Sequence, residues 1–224
     1  MNPLDRPVWA SLTGAHAHLA LGESNARRYR PDVNRFVAGP DEEPETLAAM
    51  AALIEPGDPV LVVQAAAIPE LPGLTLVLCR AAVQMVHDGT PPGGDDRDIV
   101  PLGEPDAPEM LALATLTNPG PFRERTRLMG DFFGVRREGR IAAMAGQRLR
   151  PPGHIELSGV CTHPDFRGEG LATRLSAHVT RAIVARGETP FLHAWKDNSG
   201  AIALYEKLGY RIRREMNVAV FERT

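Results

Sequence analysis

The chain has 224 residues, 43% of them hydrophobic, which is enough for one large domain or two small ones with a sizeable core. A net charge of −3 and a pI of about 6.2 argue against a nucleic acid or an anionic membrane surface as partner. The longest apolar run, near Val60-Leu61-Val62-Val63, is broken by Gln64 and Pro69 and is too short to span a bilayer.

The first residues, Met1 to Pro7, carry no apolar segment of the kind a signal peptide needs, so a cytoplasmic protein is expected. Cys79 and Cys161 both lie in strand-like runs and read as buried, reduced thiols. Val8 to Leu21 reads as a helix stopped by Gly22, and Val33 to Val37 as a short strand. Pro44 to Leu53 is a helix with Pro44 and Glu45 in its first turn, ended by Pro56-Gly57. Val60 to Gln64 and Leu74 to Val86 are β-rich runs. Asp88 to Asp98 (DGTPPGGDDRD) has the composition of a linker or exposed loop, and a domain boundary is expected there.

Beyond it the pattern is regular. Ile99 to Leu102 is a strand. Asp106 is a candidate N-cap, with Glu109 three residues later as in a capping box, for a helix running to Thr117. Phe122 to Met129 reads as a second short helix. Phe132 to Arg136 and Ile141 to Leu149 form a hairpin around Glu138-Gly139-Arg140. Ile155 to Cys161 is a strand interrupted by Ser158-Gly159, where an isolated glycine suggests a bulge. A turn at His163-Pro164-Asp165 and the run Arg167-Gly168-Glu169-Gly170 lead into an amphipathic helix with apolar residues at 171, 175, 179 and 183. Pro190 to Trp195 is a strand, Asn198 to Leu208 a helix capped by Gly209, and Tyr210 to Arg214 and Asn217 to Glu222 two last strands.

A strand, a glycine-rich turn and a helix aim several backbone N–H groups at one point, a natural site for pyrophosphate. A Walker A loop would need Lys and Ser or Thr after its last glycine, where Leu171-Ala172 stand. A dinucleotide fingerprint lacks its third glycine and comes too late in the chain for the βα units it needs. The Arg/Gln-x-x-Gly-x-Gly/Ala pattern is met by Arg167, Gly170 and Ala172, with Val160 and His163-Pro164 upstream. This stretch resembles the acetyl-CoA loop of the GNAT superfamily of N-acetyltransferases. Asn198 to Tyr210 (NSGAIALYEKLGY) resembles the same family's N-x-x-A-x-x-x-Y-x-x-x-G-[FY] segment. The likeness is strong over 155–210 and weaker over 99–155.

The resemblance implies an α/β (α+β) fold, a GNAT-like mixed, mostly antiparallel central sheet flanked by helices, over 95–224. It does not cover residues 1–87, and the boundary at the acidic loop leads us to expect an additional N-terminal α/β subdomain over 1–94. That subdomain is either a degenerate GNAT-like half or a substrate or dimerisation module. The cosubstrate implied is acetyl-CoA, with no metal, and the acceptor a small or amino-acid-like primary amine attacking directly in a ternary complex. A homodimer is compatible with this. The backbone of Arg167, Gly168, Glu169, Gly170, Leu171 and Ala172 would hold CoA, and Asn198, Ala201 and Tyr205 would line its path. The Val160 N–H would face the developing oxyanion and the Thr162 backbone the pantetheine arm. Tyr205 is the candidate acid for the leaving thiolate. Glu156 is the candidate base, its pKa raised by burial. His154 and His163 are weaker candidates, and His193 is a candidate wall of the acceptor site. Cys161 has no paired base in sequence, and with His154, His163 and His193 it makes no metal-ligand spacing. The rival readings are a non-catalytic acyl-CoA-binding sensor or interaction module and a nucleotide-binding protein.

Overall fold

One strand sets the architecture: β8 (Arg140–Gln147) is buried along almost its whole length, so it must be covered on both faces. In the computed structural model, which describes residues 2–223, the covering helices are α3 (Ala107–Thr117) and α4 (Leu171–Val184). Ala143 and Ala145 share a core with Leu171, Leu175, Val179 and Ile183 of α4, whereas Ile141 and Met144 pack with Met110 and Leu113 of α3. All four apolar positions expected on α4 are buried; each contributes roughly 1.5–3 kcal/mol.

The remaining elements are α1 (Pro7–Leu12), β1 (Ala20–Glu23), β2 (Ala26–Tyr29), β3 (Val37–Ala38), α2 (Pro44–Ala52), β4 (Val60–Gln64), β5 (Thr75–His87), β6 (Ile99–Leu102), β7 (Phe132–Arg137), β9 (His154–Thr162), β10 (Thr189–Trp195), α5 (Ser199–Lys207) and β11 (Tyr210–Glu222). Eight strands form one sheet in the order β4-β11-β5-β10-β9-β8-β7-β6, and β1-β2-β3 form a second, small sheet. In the large sheet only β9 and β10 run parallel. The mixed, mostly antiparallel sheet with flanking helices is the fold class expected from the sequence.

The division at 94/95 does not describe this sheet. β5 lies between β10 and β11, pairing Ala82–Val86 with one and Thr75–His87 with the other. The N-terminal segment therefore supplies an interior strand of the main sheet and not a separate unit. The acidic loop before β6 is likewise docked on α4, where Arg174 pairs with Asp98, and Arg181 and His178 pair with Asp96.

Other differences are local. The helix expected over Val8–Leu21 stops at Leu12, because Leu21 and its neighbours pair with β2 instead. The capping box fails: the Asp106 carboxylate accepts from Gly103 N (2.8 Å) and pairs with Arg136, while Glu109 accepts from Ile141 N. Only a 3-10 turn at Thr126–Met129 forms where a helix over Phe122–Met129 was expected. The two last strands are one, with a register shift between Ile212 and Arg214. Cys79 is exposed, not buried, because β5 extends past the end of β10 there.

Candidate active site

The site begins where β9 and β10 part. They pair over only three positions, His154–Glu156 against Thr189–Phe191. Past Glu156, β10 continues along β5 and β9 along β8, so a gap opens between them. The expected irregularity at Ser158-Gly159 is present: Ser158 pairs with Gly146 and Cys161 with Met144, which leaves an extra residue on β9. Gly159 holds φ +64°, and a Cβ there would come 3.0 Å from the Phe132 ring, so the position requires glycine twice over.

β9 then runs through a 3-10 turn at Pro164–Phe166 into the glycine loop. Gly168 and Gly170 have φ of +86° and +73°, and no atom lies within 4 Å of a Cβ built on either. Gly170 is the N-cap of α4 and no side chain caps that end. The first helical bond made there is Arg174 N to Gly170 O, so among the described residues the N–H groups of Gly168 to Thr173 have no protein acceptor. An open cradle at an uncapped N-terminus of a fourteen-residue helix suits a phosphate group. Arg167 is exposed and its side chain makes no hydrogen bond among the described residues, but its N–H donates to the Pro164 carbonyl (3.3 Å) and is therefore not free for the cradle; Glu169 lies 3.9 Å from Arg137. Leu171 turns its side chain into the core, leaving only its backbone to the loop.

A cavity of about 250 Å³ occupies the mouth of the gap. Val160, Asn198, Ala201 and Tyr205 line it, together with Phe36, Leu61, Val63, Arg148 and Trp195. Asn198 caps α5 by accepting from Ala201 N, which positions Tyr205 on the helix's cavity side. The Tyr205 hydroxyl has no protein partner among the described residues, and burial pushes its pKa up to about 12. Thr162 sits further along β9, its Oγ1 buried and without a partner among the described residues. His154 binds only the Pro152 carbonyl and His163 caps the 3-10 turn at Asp165 N, so neither reaches the cavity. Burial raises the Cys161 thiol to about 11, which keeps it protonated and weakly nucleophilic.

Glu156 overturns the reasoning made for it. Its side chain is fully buried, and burial alone would raise its pKa, but Arg148 outweighs that with its charge and two hydrogen bonds of 2.8 Å. His193 Nδ1 adds a third at 2.8 Å, and the carboxyl is held well below the usual range. The proton positions follow from the network. Gln84 Oε1 accepts from Arg213 and its Nε2 donates to Leu4 O, so the contact of that Nε2 with His193 Nε2 (3.1 Å) is also a donation. His193 is thus neutral, with its proton on Nδ1 directed at Glu156. Arg148, Gln84 and Phe36 were missed by sequence reasoning. They lie outside both motifs, and only the insertion of β5 and the approach of the N-terminal segment bring two of them here.

A family model described as FR47-like protein matches residues 132–219. A crystal structure of a GNAT-family protein from Novosphingobium aromaticivorans is 44% identical, covers 100% of both chains and superposes with a TM-score of 0.94. The chain belongs to the GNAT family. The family's fold recurs in a GCN5-related N-acetyltransferase from Kribbella flavida, 20% identical over 100% of this chain and 97% of that one, with a TM-score of 0.63. Among curated relatives, an acetyltransferase of Pectobacterium atrosepticum is 44% identical over 50 residues, 21% of this chain and 35% of that protein. The match thus spans about a third of the length of that relative. No helix among the described residues is long and apolar enough to cross a membrane.

Proposed function

We propose that this protein is a cytoplasmic N-acetyltransferase that moves an acetyl group from acetyl-CoA to a small primary amine by direct attack in a ternary complex. One observation carries the reading. The strand that leaves the β9/β10 gap runs straight into an uncapped glycine cradle, and the gap's mouth is a cavity with a protonated phenol on its wall. When bound, acetyl-CoA supplies the activated acetyl thioester.

The chain's own residues then divide the work. The N–H groups of Gly168 to Ala172 and the α4 N-terminus hold the pyrophosphate. Asn198 and Ala201 form the wall beside Tyr205, and Thr162 offers its backbone and unpartnered hydroxyl to the pantetheine arm. The Val160 N–H, beside the bulge, is the oxyanion donor, a preorganised contact worth roughly 3 kcal/mol. Tyr205 Oη keeps its proton at neutral pH and holds it for the departing sulfur.

Glu156 orients His193 and holds it in one tautomer, and it does not itself take the amine proton. The titratable acceptor on the cavity wall is His193 Nε2, which accepts once the Gln84 contact yields. Incubation with acetyl-CoA and a panel of primary amines, with free CoA and acetylated product both measured, tests the reading. Product formation at the rate of CoA release is expected. Tight acetyl-CoA binding with no product from any amine would instead favour a non-catalytic acyl-CoA sensor.

A further inference from the structure

The cavity has a recognition element that the transfer chemistry does not use. Arg148 is 11% exposed and commits Nε and Nη2 to Glu156. Its remaining nitrogen, Nη1, has no protein acceptor among the described residues. The guanidinium is pinned on a second side by Phe36, whose ring centre lies 5.0 Å from Cζ. Gly120, in the loop after α3, faces Nη1; a Cβ there would stand 3.5 Å away. Arg148 is the one Arg or Lys among the described lining residues of the cavity, and no Asp or Glu lines it. Around it the wall is apolar, with Leu61, Val63, Ala82 and Val218.

A pinned guanidinium with a spare N–H asks for an oxygen acceptor on the ligand. The charge balance decides which kind. Arg148 is already neutralised by Glu156, and His193 carries no charge, so a carboxylate entering here would lack a counter-ion. A partly desolvated, unpaired charge is costly, whereas a neutral carbonyl accepts the same hydrogen bond without that cost. We propose that Arg148 selects acceptor amines bearing an uncharged carbonyl and an apolar side chain, as in an amino-acid amide or the first residue of a peptide. The free amino acid and the simple amine are the disfavoured substrates. This rests on the acetyltransferase reading above and narrows its acceptor.

The test compares phenylalaninamide, the peptide Phe-Gly-Gly-amide, phenylalanine and phenethylamine at saturating acetyl-CoA. Rates are referred to the neutral-amine fraction of each, since the four amines differ in pKa. At least one of the two amides should exceed both phenylalanine and phenethylamine in kcat/KM by tenfold or more, and which of them does so separates a small amide from a peptide source. In Arg148→Lys, which keeps a cation beside Glu156 but loses the planar fork, that preference should fall below threefold. A wild-type margin under tenfold, a preference for phenylalanine, or a margin that survives in Arg148→Lys overturns the inference while leaving acetyl transfer intact. Product from none of the four sinks the acetyltransferase reading itself, and the inference with it. If Arg148→Lys does not fold, the wild-type substrate order still decides.

Discussion

Tyr205 and Glu156 show how differently burial acts on two groups of one site. For Tyr205 nothing opposes desolvation, so the phenol is pushed to about 12 and stays a proton donor. Tyr205→Phe keeps the ring that packs 5.9 Å from Tyr210 and deletes only the hydroxyl. We expect kcat to fall roughly 10- to 1000-fold, with acetyl-CoA affinity and melting temperature nearly unchanged; full kcat would remove Tyr205 from the mechanism. For Glu156 the Arg148 guanidinium reverses the sign. Because its folded pKa is depressed, its contribution to stability is present above the unfolded carboxylate pKa and is lost as pH falls through the folded value. Glu156→Gln strands the Arg148 charge, so denaturant unfolding should show a loss of about 3–5 kcal/mol. A variant as stable as wild type, with activity lost only on the acidic limb of its pH profile, would return the base role to Glu156.

At the scale of elements, the glycine loop and the α4 N-terminus act together. Gly170→Asp puts a carboxylate at the cradle, where no atom within 4 Å obstructs it. The left-handed φ of +73° costs about 1–2 kcal/mol for a non-glycine residue. The variant should stay folded by circular dichroism while acetyl-CoA no longer raises its melting temperature; an undiminished ligand shift would move the phosphate site elsewhere. This loop, the bulge at Ser158-Gly159, α4 and α5 were all legible in the sequence, because each is set by glycine positions or by a 3.6-residue apolar stripe within a short window. The Asp106 cap was not, because the pull of Arg136 on that carboxylate comes from another strand.

For the whole molecule, the decisive fact is that β5 fills the sheet between β10 and β11. A fragment of residues 95–224 would lose β5, exposing the edges of β10 and β11 and the side of Leu192 and Tyr210 that packs in one core with Met85. We expect it to be unfolded or aggregated, with poor dispersion of its NMR amide signals; a well-dispersed monomer would restore the boundary at 94/95. The N-terminal half also carries a pH liability. Burial lowers the His16 pKa from 6.5 to about 4, against a weaker opposing contact with the Met129 backbone. Above the unfolded value neither state is protonated. Between about 6.5 and 4 only the unfolded chain takes the proton, so stability should fall by about 3 kcal/mol across that window. His16→Gln should flatten that part of the curve of urea midpoint against pH, and an unchanged slope would assign it to other groups.

The sequence by itself determined the family, the fold class, the glycine loop between β9 and α4 and the helix that carries Tyr205. Those depend on residue spacing within one strand–loop–helix unit, where backbone geometry leaves few choices. Only the tertiary structure decided that residues 1–94 complete the main sheet, that Glu156 is locked as an anion, and that Arg148 faces the cavity. Sheet order and ion pairing join residues far apart in the chain: Gln84 reaches His193 across 109 positions and Arg213 across 129. Such pairings are chosen by the packing of the whole sheet, which no local pattern encodes.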